Sequence, residues 1–114
     1  MVRIYHNSRC SKSRATLALL EQRGEPVEVV NYLDTPPSVA ELKRLLGLLG
    51  LTARGLIRTG EDEYATLGLD DPALDEDALL AAMAAHPRLI ERPIVVANGK
   101  AAIGRPPEAV LAIL

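Results

Sequence analysis

The only cysteine of the 114-residue sequence, Cys10, lies in a polar stretch that follows a short run of β-branched and aromatic residues. The stretch, His6-Asn-Ser-Arg-Cys-Ser-Lys-Ser-Arg14, surrounds the thiol with cationic and hydroxyl side chains. Positive charge and hydrogen-bond donors stabilise a thiolate and lower its pKa. The pattern favours an activated sulfur nucleophile whose substrate is itself an oxyanion. The alternative is that Cys10 is a small core residue, as most free cysteines are.

The loop around Cys10 leads into a predicted helix, where unpaired backbone N–H groups form a natural anion site. Ser13 stands where a Cys-x-x-Cys redox pair has its second thiol. No disulfide can therefore form within the loop, and an adduct on Cys10 must be resolved by an outside thiol, such as glutathione or a glutaredoxin. The side chains expected to serve the thiol or an oxyanion are those of His6, Asn7, Ser11, Lys12, Ser13 and Arg14.

Three arginines in the second half of the chain lie beside chain breaks: Arg58, Arg92 and Arg105. A dianionic substrate is repelled by a thiolate, so the site needs compensating positive charge. Arg92 and Arg105 each precede a proline, which keeps them extended. Because they flank a predicted hairpin, they could converge on one anion at the same sheet edge. The alternative is that all three are solvated surface arginines.

The elements that must position these residues follow from local signals. A strand at 2–5, a helix at 11–23 ended by Gly24 and a strand at 27–33 indicate a parallel βαβ unit. Ser38 and Asp75 are typical helix caps, and Asn98-Gly99 is typical of a type I′ hairpin turn. The remaining predictions are helices at 39–49, 53–57, 61–67 and 75–85, strands at 93–97 and 100–104, and a last helix that begins near Arg105-Pro-Pro.

This order, β-α-β, then helices, then β-β-α, predicts a thioredoxin-like α/β fold with a mixed four-stranded sheet. We expect a single domain over residues 1–114 with a helical insertion at about 35–90. Thioredoxin-like folds place a cis-proline just before the third core strand, so Arg92-Pro93 is expected to be cis.

The formal charge of −2 does not favour binding to nucleic acid or to anionic membranes. The first residues lack the apolar stretch of a signal peptide, and no apolar run reaches the roughly 18 residues that span a bilayer. No Cys/His spacing indicates a metal site, and no bound cofactor is expected. These observations predict a cytoplasmic protein in which a free thiol stays reduced.

The sequence resembles the glutaredoxin-coupled arsenate reductases along nearly its whole length. The matching motifs are Tyr5-His-Asn-x-x-Cys10-x-x-Ser13-Arg14, Tyr32-Leu-x-Thr-Pro-Pro37, Leu56-Ile-Arg58, Tyr64-x-x-Leu-Gly-Leu69, His86-Pro-x-Leu-Ile-x-Arg-Pro-Ile-Val-Val96 and Gly104-Arg-Pro106.

The resemblance implies that Cys10 attacks arsenate, that glutathione joins the adduct, and that glutaredoxin reduces the mixed species to release arsenite. It further implies that Arg58, Arg92 and Arg105 bind the oxyanion, and that His6 and Ser13 depress the pKa of the cysteine.

Two relatives of this family share the fold without the reaction. Spx-type transcriptional regulators sense oxidation with a Cys-x-x-Cys pair, which Ser13 interrupts here. The other alternative is a glutathione-dependent thiol oxidoreductase that does not turn over arsenate.

Overall fold

A computed structural model describes residues 2–114. The elements are β1 (Val2–His6), α1 (Ser11–Gln22), β2 (Val27–Asn31), α2 (Val39–Leu49), α3 (Ala53–Leu56), α4 (Asp62–Thr66), α5 (Glu76–Ala85), a 3₁₀ helix (Pro87–Leu89), β3 (Ile94–Ala97), β4 (Lys100–Ile103) and a second 3₁₀ helix (Pro107–Ile113). Within residues 2–114, no helix is both long enough and apolar enough to cross a membrane.

The described residues form two compact units. The first comprises the residues up to Thr35 together with Arg92–Leu114, and the second comprises Pro36–Glu91. The four strands named above and α1 belong to the first unit, whereas α2–α5 belong to the second. The prediction of a single domain over residues 1–114 stays a prediction.

The strands form one mixed sheet in the order β2-β1-β3-β4. β1 runs parallel to β2, with His6 opposite Asn31, and β3 is antiparallel to both β1 and β4. The predicted βαβ unit and the mixed four-stranded sheet are therefore confirmed. β2 ends two residues earlier than expected, because the carbonyl of Asn31 accepts the N–H groups of Asp34 and Thr35 and so begins a turn.

An aliphatic core lies between the sheet, α1 and the C-terminal 3₁₀ helix. This arrangement suits a sequence with neither Phe nor Trp. Burying an aliphatic side chain of this size stabilises the fold by about 1.5–3 kcal/mol. The cluster holds α1 on the sheet and thereby fixes the loop between β1 and α1. Its buried members are Val2, Ile4, Leu20, Val95, Ala97, Val110 and Ile113.

The hairpin between β3 and β4 turns at Asn98 and Gly99, whose φ angles of 55° and 72° confirm the predicted type I′ turn. The expected last helix is a 3₁₀ helix, in which the N–H of Ala109 donates to the carbonyl of Pro106 at 3.0 Å. The Arg92–Pro93 peptide bond is cis, as the fold predicted, and the Arg105–Pro106 bond is also cis.

The second unit is built from capped helices. The hydroxyl of Ser38 accepts the N–H of Glu41 at 3.1 Å at the start of α2, and the Asp75 carboxylate accepts the N–H of Ala78 at 2.8 Å at the start of α5. Gly50 ends α2 with a φ of 68°. These three signals confirm the predicted boundaries of α2 and α5, which pack against each other.

Gly104, directly after β4, approaches α1 and the start of β3 closely. A Cβ built on Gly104 would overlap the Thr16 hydroxyl oxygen and would lie 2.8 Å from Cγ of Pro93. Thr16 is fully buried, and its hydroxyl donates to the carbonyl of Lys12 at 2.8 Å. Position 104 therefore has no room for a side chain.

We expect Gly104→Ala to lower the free energy of unfolding by about 1–3 kcal/mol, because the new methyl group overpacks a buried contact. Urea denaturation monitored by circular dichroism measures the change. Gly47→Ala is the matched control: its site is open within 4 Å, and alanine in a helix is more stable than glycine by about 0.5–1 kcal/mol. A Gly104→Ala protein as stable as wild type would contradict the overpacking argument.

Candidate active site

Cys10 is the N-cap residue of α1, with an extended backbone (φ −95°, ψ 123°). Its N–H donates to the carbonyl of Asn7 at 3.0 Å, and its carbonyl accepts the N–H of Arg14 at 3.0 Å. These two bonds join the preceding loop to the first turn of the helix. Cys10 is 8% exposed. The sulfur is therefore held at a helix start, where the helix dipole favours a negative charge.

Opposing effects act on the pKa of the Cys10 thiol. Burial raises it, whereas the backbone N–H of Ser13, the side chain of Arg92 and the backbone N–H of Lys12 all hydrogen-bond the sulfur and lower it. The guanidinium charge of Arg92 lowers it further. The net result is a pKa below the ordinary value for cysteine, in the direction that the sequence predicted. The thiolate is therefore favoured, and the thiolate is the nucleophilic form.

Arg105 reaches the same sulfur from the end of the hairpin. Its Nη2 donates to Sγ of Cys10 at 3.6 Å, and its Nε donates to the carbonyl of Arg92 at 2.9 Å. The N–H of Gly104 donates to the carbonyl of Pro93 at 2.9 Å, which ties the two ends of the hairpin together. The structure thus brings Arg92 and Arg105 to Cys10, although 95 positions separate Arg105 from Cys10.

Arg58 lies in the Pro36–Glu91 unit. Its Nη1 donates to the Glu91 carboxylate at 2.7 Å, and its Nε donates to the Glu61 carboxylate at 3.3 Å. The same Glu61 also pairs with Arg88 at 3.2 Å. The guanidinium of Arg58 is therefore part of an ion-pair network, and its predicted role in binding an oxyanion stays a prediction.

His6 and Ser13 form a buried pair behind the loop. The hydroxyl of Ser13 lies 2.7 Å from Nδ1 of His6 and accepts the N–H of Asn7 at 3.0 Å. Because the hydroxyl accepts from Asn7, its own hydrogen can point at Nδ1, an arrangement that suits a neutral imidazole protonated on Nε2. Ser13 reaches Cys10 through its backbone N–H, and the predicted role of the His6 and Ser13 side chains stays a prediction.

Burial lowers the pKa of His6, and the charge of Arg14 lowers it further. Both effects favour the neutral imidazole of His6. The sequence did not reveal this, because the burial of His6 is a product of the tertiary fold.

The lowered pKa of His6 predicts a pH-dependent stability. Below pH 6.5 the unfolded state binds the His6 proton more readily than the folded state does, so the free energy of unfolding falls as the pH drops through this range. His6→Gln should flatten this part of the pH profile, and Arg14→Ala should raise the pKa of His6 toward 6.5 in an NMR titration. A His6 pKa at or above 6.5 in the wild-type protein would refute the prediction.

The other loop residues support the backbone or face solvent. The guanidinium of Arg14 donates to the carbonyl of Ser8 at 2.9 Å, and the side chain of Asn7 accepts the N–H of Arg9 at 3.0 Å. Ser11 and Lys12 are exposed, and Lys12 acts on the sulfur through its backbone N–H. Among the four loop residues predicted to serve an oxyanion, Lys12 is brought to the sulfur, through its backbone N–H. Arg14 and Asn7 instead stabilise the loop through their hydrogen bonds to its backbone.

Thr16 and Gly104 hold the segment that carries Arg105 close to α1, and the sequence did not reveal this role for either residue. A glycine at the end of a strand and next to a predicted site residue is the available signal, because glycine often marks close backbone approach. In residues 2–114, no group of three His, Cys, Asp or Glu side chains could hold a metal ion.

Comparison with known proteins gives matches along the whole chain. Residues 5–113 match the family model described as the ArsC family. The chain is 61% identical over 114 residues to an arsenate reductase of Neisseria meningitidis serogroup B, with 99% of this chain and 97% of that protein covered. It is 59% identical over 114 residues to the uncharacterized protein YfgD of Escherichia coli, with 99% and 96% covered.

Among solved structures, the chain is similar to an arsenate reductase from Vibrio cholerae. The TM-score is 0.97 at 60% sequence identity, with 99% of this chain and 97% of that chain covered. This similarity confirms the predicted thioredoxin-like fold class.

Proposed function

Because this chain belongs to the ArsC family, we propose that it is a thiol-dependent arsenate reductase. The observation that carries the proposal is the convergence of Arg92 and Arg105 on the sulfur of Cys10. A nucleophilic sulfur flanked by two guanidinium groups suits a tetrahedral oxyanion, because each guanidinium matches two oxygens at once.

The proposed reaction begins with attack of the Cys10 thiolate on arsenic. A sulfur–arsenic bond forms, and one arsenate oxygen leaves as water after it gains protons. The thiol of glutathione then displaces a second oxygen as water, so that arsenic is bonded to both sulfurs. The thiol of glutaredoxin attacks the glutathione sulfur, a mixed disulfide of the two leaves, and the electron pair of the broken sulfur–arsenic bond reduces arsenic. Water finally cleaves the bond between Cys10 and arsenic, which releases arsenite and regenerates the Cys10 thiol. In sum, one arsenate and two thiols give one arsenite, one disulfide and one water, so arsenic gains the two electrons that the sulfurs lose.

The two thiols that are oxidised must come from other molecules, because Cys10 is the only cysteine in the sequence. This requirement supports glutathione as a co-substrate and a glutaredoxin as a partner. It also supports a cytoplasmic location for the reaction, where small thiols remain reduced.

By family resemblance, Arg58 is the third arginine proposed to bind arsenate. Its guanidinium already pairs with two carboxylates, those of Glu61 and Glu91, whose oxygens resemble those of an oxyanion. If the proposal is right, Arg58→Ala should raise the KM for arsenate and leave the pKa of the Cys10 thiol lowered.

A coupled assay tests the function. NADPH oxidation is followed with arsenate, glutathione, glutaredoxin and glutathione reductase, and phosphate replaces arsenate as the control anion. Arsenate-dependent oxidation is the expected result. Its absence, together with turnover of a glutathione mixed disulfide, would instead favour a thiol oxidoreductase without arsenate activity.

A further inference from the structure

A cleft of about 310 Å³ lies in the first unit, beside the loop that precedes Cys10. It is at the carboxyl ends of the two parallel strands, since His6 ends β1 and Asn31 ends β2. Open α/β sheets bind ligands just beyond the carboxyl ends of their strands. The residues that line the cleft are His6, Asn7, Ser8, Arg9, Asn31, Leu33 and Asp34.

The cleft carries both signs of charge, a guanidinium from Arg9 and a carboxylate from Asp34. Both residues are exposed, as is Asn31. Within residues 2–114, these three side chains make no hydrogen bond or ion pair with the protein. Arg14, by contrast, binds the carbonyl of Ser8. The polar groups of the cleft can therefore pair with a small zwitterion.

The cleft is also close to the nucleophile along the chain. Arg9 directly precedes Cys10, so their Cα atoms are about 3.8 Å apart. The N–H of Cys10 donates to the carbonyl of Asn7 at 3.0 Å. This turn places Asn7, a second residue of the cleft lining, near Cys10. Residues of the cleft lining thus belong to the same short loop as the nucleophile.

We propose that this cleft binds the peptide part of the small zwitterionic thiol that resolves the adduct on Cys10. Arg9 pairs with a carboxylate of this thiol, Asp34 pairs with its ammonium group, and the Asn31 amide is available to its peptide bonds. This inference rests on the proposed function, which requires a second thiol, and it adds no bond-making step. It explains how a protein with one cysteine presents the second thiol to the adduct.

The kinetic test compares two thiols in a direct assay of arsenite release, with glutaredoxin present at one fixed concentration as the final reductant. Glutathione has two carboxylates and an ammonium group, whereas 2-mercaptoethanol has neither. Arg9→Ala and Asp34→Asn should each lower the ratio of kcat/KM for glutathione to that for 2-mercaptoethanol by about tenfold, because each removes a charge-assisted contact. A substitution that acts directly on Cys10 changes kcat/KM for both thiols alike, so this effect cancels in the ratio. Arg23→Ala, an exposed arginine at the far end of α1, should leave the ratio unchanged.

If the wild-type enzyme is active and both cleft variants keep its ratio of kcat/KM for glutathione to that for 2-mercaptoethanol, the cleft assignment is overturned and the proposed function stays intact. If the wild-type protein releases no arsenite with either thiol, the proposed function fails, and binding is then decided by NMR with S-methylglutathione. Amide shifts confined to residues 6–9 and 31–34, and lost in Arg9→Ala, would uphold the cleft as a peptide-thiol site. Shifts elsewhere, or none, would overturn it.

Discussion

Replacing Cys10 by serine is expected to lower kcat/KM for arsenate by at least about a thousandfold, because the hydroxyl is a far weaker nucleophile at neutral pH. The sequence has no other cysteine that could replace it. The coupled NADPH assay measures the loss, and circular dichroism establishes that the variant is folded.

A thiol elsewhere should not restore the activity. Ala18, an exposed residue in the middle of α1, provides the control: Ala18→Cys in the Cys10→Ser background returns one cysteine to the protein away from a helix start. We expect this double variant to remain inactive. Arsenate-dependent oxidation that survives in Cys10→Ser would remove the sulfur nucleophile from the mechanism.

Arg105→Ala is expected to lower kcat/KM for arsenate by about a hundredfold to a thousandfold, since it removes a donor aimed at the reacting centre. It should also raise the pKa of the Cys10 thiol, because Nη2 of Arg105 donates to the sulfur. The ultraviolet absorbance of the thiolate, titrated with pH, measures that pKa. Arg105→Lys should keep the thiol pKa below that of Arg105→Ala, because lysine retains the positive charge. Lysine nevertheless lacks the guanidinium fork that contacts both the sulfur and the carbonyl of Arg92.

Arg44→Ala is the matched control for the arginine variant, because Arg44 is exposed on α2 and makes no ion pair within the described residues. It should leave both kcat/KM and the thiol pKa unchanged. An Arg105→Ala enzyme with unchanged kcat/KM would show that the contact to Cys10 plays no part in the reaction.

Local chemistry made most of the fold predictable. Gly24 and Gly50 end α1 and α2 with positive φ angles, and Asn98-Gly99 turns the hairpin. Each of these signals acts within a few residues, so each can be identified without knowledge of the tertiary structure. The element order then left few topologies for a parallel βαβ unit followed by a hairpin.

The site was predictable only in part, because its geometry depends on contacts between distant segments. The X-Pro pattern placed Arg92 and Arg105 at the two ends of the hairpin, but not the specific bond from Nη2 to the sulfur. The burial that keeps His6 neutral and the two carboxylates that hold Arg58 are likewise tertiary features. Such features leave no periodicity or spacing in the sequence.

The close packing of Gly104 has a consequence for mutational scanning. In a library that replaces every residue and selects cells for growth on arsenate, substitutions at position 104 should be depleted along with those at Cys10. The two positions would separate only when protein abundance is measured in parallel. Cys10 variants would accumulate as folded, inactive protein, whereas variants of Gly104 would lose abundance, because any side chain collides with Thr16 and Pro93.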